Sequence, residues 1–405
     1  MPNTSLTASI VAETALAVLE NDLSVVKTMY RAHESEFSKS VNGYKPGATI
    51  NIRRPEDGTV RVGATASVTD VIEGQVSLTV DQQIGTDFQF TSQEMSLQMP
   101  LEDITARVIK PRMSKIVNHI TNDLLTQMYR GAYHYAGTPA STFSGFASFA
   151  RAAERMDLAA IPMDDRCAVL HPTDKWGFIG PAVSLNVQGI ANPAYREGDL
   201  GRVAGIDTYM SQVTPTHTTG TRSGGTLNSG TLSVAYDDVK NTWQQTLTVT
   251  TVSGIVNAGD VFTLAGVNMV NPKTGADTGI PQQFVVLTTT GSGPTSLVVS
   301  PPIITSGPHR TVTAAPASNA AITWLGAAST GFRQNLFYHK NAMALAVVPL
   351  EIPPGSVGAA TSSYKGFSCR VIPYYDGVND RSNWRLDILY GRRLIDPRLV
   401  VRSGG

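Results

Sequence analysis

The 405-residue sequence has little cysteine and no net charge. Its two cysteines, Cys167 and Cys369, lie far apart and match neither a CxxC motif nor the ligand spacing of a zinc site, which predicts buried, reduced thiols in a cytosolic setting. Lysine and arginine total 32, and so do aspartate and glutamate. This balance excludes electrostatic condensation on nucleic acid or on a membrane as the main activity, but it permits weak contact with DNA.

Long apolar runs are also missing. No window approaches the roughly 20 consecutive apolar residues that a membrane helix needs. Glu13, Glu20 and Asp22 interrupt the N-terminal segment, where a signal peptide would carry its apolar block. We therefore expect a soluble protein that is made inside the cell and has no membrane partner.

Motifs that carry catalytic chemistry are missing as well. The seven histidines are scattered singly, without the HExxH or HxH spacing of a metal site, and no GxSxG, GxGxxG or GxxxxGK[ST] motif occurs. The acidic doublets Asp164–Asp165 and Asp237–Asp238 are typical of turns, because neighbouring side chains on a strand point apart. The sequence predicts no enzyme, no cofactor and no metal site.

The first 130 residues contain three clear patterns. Residues 4–33 have apolar positions near helical spacing and predict an amphipathic helix without an adjacent partner. Gly47–Phe90 alternates polar and apolar residues, which predicts a long two-stranded ribbon that is marginally stable alone. Two apolar rows predict a helix over Leu101–Arg130, with a bend near Lys110 because of Pro111.

The composition changes after Pro215. Between residues 241 and 330 only Asp260, Lys273, Asp277 and Arg310 are charged. Short strand patterns recur there at intervals of roughly 10–18 residues, which is typical of a small barrel or sandwich. Mixed α/β patterns return later in the chain, so the sequence predicts an α+β host with an inserted all-β module of about 110 residues.

Several segments resemble the major capsid (coat) proteins of tailed bacteriophages. They are, in chain order, LEDITARVIKPRM (101–113), GDLGRVAGIDTYMSQ (198–212), NLFYHKNAMALAVVPL (335–350) and RLDILYGRRLIDPRLVV (385–401). LTVTTVSGIVNAGDVFTLAGV (247–267) resembles the inserted β-barrel of the coat proteins of lambdoid short-tailed phages. The resemblance covers nearly the whole chain.

The resemblance implies an α+β, Hong-Kong-97-like capsid fold with an inserted all-β barrel domain. The implied parts are an N-arm (1–46) that reaches onto a neighbour or scaffold, an E-loop (47–92), the spine helix with the first part of the peripheral domain (93–160), the first part of the axial domain (161–221), the inserted barrel (222–333), the second part of the axial domain (334–370) and the second part of the peripheral domain (371–405). Some relatives form a Lys–Asn cross-link, but no lysine lies between Lys45 and Lys110, so we expect none from the E-loop.

The resemblance also implies a structural protein that self-assembles into hexamers and pentamers of an icosahedral head enclosing double-stranded DNA. Its implied partners are its own copies, a separate scaffolding protein, a portal protein at one vertex and packaged DNA in weak, non-specific contact. It would be assembled in the host cytoplasm and reside in the virion. Two alternatives remain, an encapsulin-like cellular nanocompartment shell and a β-rich glycan-binding or adhesion protein.

Charged side chains in two segments are the candidate inter-subunit contacts. Those of the ribbon are Arg53, Arg54, Glu56, Asp57 and Arg61. Those of the YDDVKN segment, which resembles part of a charged hairpin that bridges capsomers, are Asp237, Asp238 and Lys240. The alternative for the ribbon group is ordinary solvated charge on an exposed hairpin.

Overall fold

The computed structural model describes residues 8–22, 24–38, 47–58, 64, 70–97, 105–184, 200–228, 230, 232–356, 358–364 and 367–405. These residues form two compact units. The first unit takes its residues from Met1–Asn51, Ser77–Leu124 and Ala344–Arg393, and the second from Ile52–Val76, Leu125–Met343 and Leu394–Gly405. Both units contain helices and strands, which confirms the predicted α+β class.

The described helices are mostly short. They are α1 (Ala8–Asp22), α2 (Glu34–Ser38), α3 (Ser92–Leu97), α4 (Lys110–Gly131), α5 (Phe146–Leu158), α6 (Pro172–Ser184) and α7 (Tyr236–Val239). One-turn 3₁₀ helices occupy Val26–Thr28, Lys340–Ala342 and Pro397–Leu399, and a π-helical turn occupies Thr105–Ile109. The N-terminal helix predicted over residues 4–33 is thus interrupted, since α1 ends at Asp22 and a 3₁₀ turn follows.

The long helix α4 matches the predicted spine helix. The π-helical turn changes to α-helix at Lys110, the position of the predicted bend. Pro111 is the second residue of α4 and has no amide hydrogen to donate to the preceding turn, so the change from π-helix to α-helix lies where proline interrupts the backbone hydrogen bonds. The predicted apolar rows are buried, as Met113, Ile120 and Leu124 illustrate with no measurable exposure.

The described strands number twenty, from short bridges to an 18-residue strand. They are β1 (Thr49–Arg54), β2 (Gly74–Thr91), β3 (His134–Ala136), β4 (Arg166–Leu170), β5 (Arg202–Val203), β6 (Ile206–Met210), β7 (Thr216–Thr218), β8 (Thr226–Leu227), β9 (Gln245–Thr250), β10 (Val261–Val270), β11 (Asp277–Val286), β12 (Ser296–Ser300), β13 (Ile322–Trp324), β14 (Gly331–Arg333), β15 (Asn335–His339), β16 (Met343–Val348), β17 (Ala360–Tyr364), β18 (Phe367–Asp376), β19 (Arg381–Leu394) and β20 (Val400–Ser403).

The first unit is built on a sheet in the order β1-β2-β19-β18-β17, with β16 also paired to β19. The long strand β2 pairs antiparallel with β19, from Thr91 opposite Arg381 to Val80 opposite Gly391. Part of the support that the two-stranded ribbon needs therefore comes from its own chain. Helix α1 packs on β17 and β18 of the same unit, with Val11 among its buried residues.

The second unit contains a mixed sheet in the order β3-β20-β15-β4-β6-β5. Strand β4 is buried at all five positions. Helices α5 and α6 contribute Phe149 and Phe178 to one core with Leu170 and Phe337 of the sheet. This sheet also contains the Gly201–Met210 stretch, in which Gly205 adopts a positive φ of 78° at the turn between β5 and β6.

The inserted module is a closed barrel. Its strands follow the order β13-β10-β11-β12-β9-β8, and the two end strands meet where the Ile322 amide donates to the Gly225 carbonyl at 2.9 Å. A bridge between Thr226 and Ala321 completes the closure. Phe262, Phe284 and neighbouring aliphatic side chains fill the interior. Of the barrel or sandwich indicated by the spaced strand patterns, the barrel is present, as the resemblance implied. The bounds of the seven predicted segments stay predictions.

Candidate subunit-contact site

The two arginines of β1 face opposite ways because strand side chains alternate. Arg53 is exposed and its Nη1 lies 3.3 Å from a carboxylate oxygen of Glu73. Arg54 is only 7% exposed; its Nε and Nη2 donate to the Ile395 carbonyl at 2.9 and 2.6 Å, and its Nη1 donates to the Lys240 carbonyl at 3.3 Å. Arg53 is thus presented to solvent, whereas the Arg54 guanidinium bonds to its own chain.

The acidic residues after β1 also have partners within the chain. The Ile72 amide donates to Glu56 Oε1 at 3.1 Å, which joins the two sides of the ribbon base. Asp57 Oδ2 lies 3.5 Å from Arg398 Nη1 and 3.6 Å from His309 Nδ1. The fifth ribbon candidate, Arg61, lies outside the described residues.

The YDDVKN candidates lie on and just after α7. Asp237 and Asp238 are exposed in its first turn, and Lys240 Nζ donates to Asp237 at 2.6 Å. Residues 236–239 form a helical turn, although the resemblance suggested a hairpin. The structure brings this segment to the ribbon base. The Lys240 carbonyl oxygen accepts a hydrogen bond from Arg54, and it lies so close to the Gly74 backbone that any side chain at residue 74 would clash with it.

Sequence reasoning missed the residues that join these groups. We define the ribbon-base cluster as Arg54, Asp57, Tyr236, Trp243, His309, Asp396 and Arg398. Its centre is Arg398, which is bound to both carboxylate oxygens of Asp396 and lies 5.1 Å from the centre of the Trp243 ring. Tyr236 stacks on His309 at 3.6 Å between ring centroids. The Asp396 side chain caps the 3₁₀ turn Pro397–Leu399 by accepting a hydrogen bond from the Arg398 amide. An aspartate followed by proline is a recognisable capping pattern, and it is the one sequence signal that points to a member of this cluster.

The charges of the ribbon-base cluster shift its pKa values. Burial by itself raises the pKa of Asp396, but the Arg398 charge and hydrogen bonds outweigh burial and leave it below its usual value. Burial, with a smaller contribution from Arg398, lowers the pKa of His309. The cluster therefore holds Asp396 as a carboxylate and His309 as a neutral ring at pH 7.

A second buried network lies where the chain crosses into the barrel. Strands β7 and β14, which flank the module in sequence, pair with each other, and His217 of β7 lies 3.0 Å from Asp260 Oδ1. The other oxygen, Oδ2, lies 3.1 Å from Arg222 Nε and accepts from the amides of Gly220 and Asn257 at 3.1 and 2.9 Å. Asp260 has no measurable exposure, so this network is structural.

Neither arrangement groups the side chains of a metal centre. Among the described residues, no group of three or more histidine, cysteine, aspartate or glutamate side chains could hold a metal ion. Helices long and apolar enough to cross a bilayer are likewise not found in the described part of the chain. Both clusters position backbone and loops within a subunit.

Comparison with known proteins decides the family. The sequence profile of the family described as "P22 coat protein - gene protein 5" matches residues 3–402. The chain belongs to this family. The "Major capsid protein" of Acyrthosiphon pisum secondary endosymbiont phage 1 is similar to this coat protein, being 22% identical over 97% of this chain and 96% of its own length.

Two solved structures are similar to this coat protein with TM-scores below 0.5. "Mycobacterium phage Che8" has a TM-score of 0.47 at 12% identity and covers 93% of this chain and 89% of its own. The "CUS-3 coat protein I-domain" is 36% identical over 25% of this chain and 95% of its own length, with a TM-score of 0.21. At these scores the family profile alone carries the identification.

Family membership confirms the predicted function of a phage major capsid protein. The protein is a structural component of the phage capsid, and neither the nanocompartment nor the glycan-binding alternative is favoured. For such a coat protein, the exposed members of the predicted set are the relevant surface residues. These are Arg53, Asp57, Asp237 and Asp238, and their contact with a neighbouring subunit stays a prediction.

Proposed function

We propose that the coat subunit forms hexamers and pentamers that close into an icosahedral head around double-stranded DNA. The match to the coat protein family over residues 3–402 carries this proposal. The subunit would have the Hong-Kong-97-like arrangement, with the ribbon as E-loop, α4 as spine helix and the closed barrel as the inserted domain. Closure multiplies contacts that are individually weak, so no single interface needs high affinity.

The exposed charges at the ribbon base are the proposed contacts between subunits. Arg53 has a side chain that is 82% exposed, and Asp237 and Asp238 project from α7 close to the same ribbon base. Charges at the rim of an interface set register and orientation more than affinity. The buried ribbon-base cluster would hold these exposed residues in position, since Arg54 fixes the β1 strand to the loop after α7.

Other partners follow from the family rather than from particular contacts. We infer a separate scaffolding protein, a portal protein at one vertex and packaged DNA, with assembly in the host cytoplasm. Because each of these is a different macromolecule, co-expression can separate their contributions. The subunit itself would act without a cofactor and without catalysis.

The direct test is negative-stain electron microscopy of the chain expressed alone and with its neighbouring phage genes. Closed particles in co-expression, and irregular shells or spirals without the scaffold, are the expected result. A monodisperse monomer or small oligomer under both conditions contradicts the proposal.

A charge variant tests the contact residues separately. Asp237→Asn with Asp238→Asn should lower the yield or urea resistance of closed particles while leaving the circular dichroism of the subunit unchanged. The charge-matched control is Asp164→Asn with Glu154→Gln, two exposed acidic residues outside the proposed contact set. Equal particle yields for both variants would remove the α7 residues from the proposed interface.

A further inference from the structure

The first half of the spine helix has an unusual charge distribution. Residues 104–122, ITARVIKPRMSKIVNHITN, contain Arg107, Lys110, Arg112 and Lys115 but no aspartate or glutamate. The whole chain carries equal numbers of basic and acidic residues. The basic excess of this segment is therefore a local feature.

Three of these basic side chains are exposed. Arg107, Lys110 and Lys115 are exposed, and we call them the positive face. The opposite side of the helix is apolar and buried, as Met113 and Ile120 illustrate. The positive face is thus held by a helix that is anchored through its other side.

The two lysines of the positive face have no acidic residue at pairing positions along the helix. On a helix surface, glutamate or aspartate three or four residues from a lysine can pair with it. Asp103 stands four residues before Arg107 but lies outside the described residues; neither Lys110 nor Lys115 has an acidic residue at those positions, and no ion pair to either lysine is found among the described residues. Arg112 differs, because its Nη1 donates to the Asp87 carbonyl and its guanidinium lies 5.6 Å from the centre of the Phe88 ring.

We propose that packaged duplex DNA lies against the positive face and that its phosphates are the ligands. Lys110 and Lys115 are five residues apart, which places them about 140° apart around an α-helix, on the two flanks of its exposed side. Both side chains are long and flexible, so a duplex lying along the exposed side could be contacted from both flanks. This inference rests on the proposed function, because it requires that the head encloses DNA.

A small positive face on a neutral subunit is suited to this role. Three phosphate contacts give weak binding that depends on salt and not on base sequence. The lack of net charge prevents the subunit from condensing on DNA before the shell has closed. Each of many copies would thus screen a few phosphates without holding the genome tightly.

Fluorescence anisotropy of a labelled 20-base-pair duplex with the unassembled full-length subunit tests the proposal. If three phosphates are contacted, affinity should fall about 40-fold between 50 and 200 mM NaCl, from a log–log slope of about −2.7. Lys110→Gln with Lys115→Gln should reduce that fall to about 3- to 4-fold. The charge-matched control is Arg151→Gln with Lys273→Gln, two exposed residues of the second unit.

The outcomes separate this inference from the proposed function. Closed particles of the K110Q/K115Q variant with reduced DNA binding support the inference. The same salt dependence in both double variants overturns it, whether or not particles form. Normal DNA binding combined with failure to assemble also overturns it, because the positive face would then bind an acidic segment of a protein partner.

Discussion

Replacing Asp260 with alanine should destabilise the subunit more than any exposed acidic substitution. Asp260 is fully buried and connects the crossing segments of the chain with the first long strand of the barrel. Burial alone raises its pKa, but the hydrogen bond from His217 and the charge of Arg222 leave the pKa below its usual value. Asp260 is therefore a carboxylate at neutral pH.

The expected magnitude follows from what the substitution leaves behind. Asp260→Ala removes the partner of Arg222, whose side chain is 1% exposed, and the acceptor of the Gly220 and Asn257 amides. Breaking a buried ion pair by removing one member costs about 3–5 kcal/mol. Asp260→Asn should cost less, because an amide oxygen can still accept one of the backbone bonds.

Urea denaturation of the full-length subunit, followed by tryptophan fluorescence, measures the change. Trp324 is a suitable reporter because its ring lies 4.9 Å from the Arg222 guanidinium and its Nε1 donates to the Gly224 carbonyl at 2.7 Å. The control Asp238→Ala removes an exposed carboxylate from the same module and should change stability by less than about 0.5 kcal/mol.

A loss below about 1 kcal/mol for Asp260→Ala would refute the reasoning. It would mean that water or a side-chain shift replaces the carboxylate, so that Arg222 is not left as an uncompensated buried charge. If Asp238→Ala lowered the free energy of unfolding as much as Asp260→Ala, the reasoning would also be contradicted. Burial of the carboxylate would then not determine how much its removal destabilises the subunit.

Four further predictions concern other parts of the chain. Lowering the pH from 7 to 5 should reduce the urea midpoint, because burial lowers the pKa of five histidines including His134. Their folded pKa values lie below the unfolded value, so the unfolded state binds more protons and stability falls as the pH drops below about 6.5. Gly391→Ala should cost about 1–3 kcal/mol in thermal denaturation, since its Cβ would lie 2.4 Å from the Thr79 carbonyl oxygen. Gly180→Ala meets open space outside its own helix, but residue 180 precedes Pro181, whose ring disfavours the helical backbone for a residue that has a Cβ, so this substitution should not raise the melting temperature. Trp243→Ala should cost about 3–5 kcal/mol and lower soluble yield, because the indole is 4% exposed in the ribbon-base cluster.

Much of the architecture could be predicted because it depends on local periodicity. The spine helix has two complete apolar rows, and the barrel strands are separated by turn residues at regular spacing. The interruption after α1 could not be predicted in the same way. Its apolar spacing continues beyond Asp22, and the competing 3₁₀ turn at Val26–Thr28 depends on packing rather than on a breaker residue.

The partners of the candidate residues were less predictable because they are distant in sequence. Arg54 binds the carbonyl of Ile395, 341 residues away, and no local pattern encodes that contact. Asp57 meets Arg398 over the same separation. Strand alternation could predict that Arg53 and Arg54 face opposite sides, but not which side would be buried.

The buried and the exposed arginines of the ribbon base should have different roles in an assembled shell. Arg54 and Arg398 bind acceptors within the chain, so their substitution should affect folding before it affects assembly. In the part of the chain that the structure describes, Arg53 pairs only with the exposed Glu73, and an exposed pair contributes about 0–1 kcal/mol to the fold. Arg53→Ala should therefore leave subunit denaturation unchanged. If it nevertheless lowers the yield of closed particles, its function is contact between subunits, and unchanged yield would identify it as solvated charge.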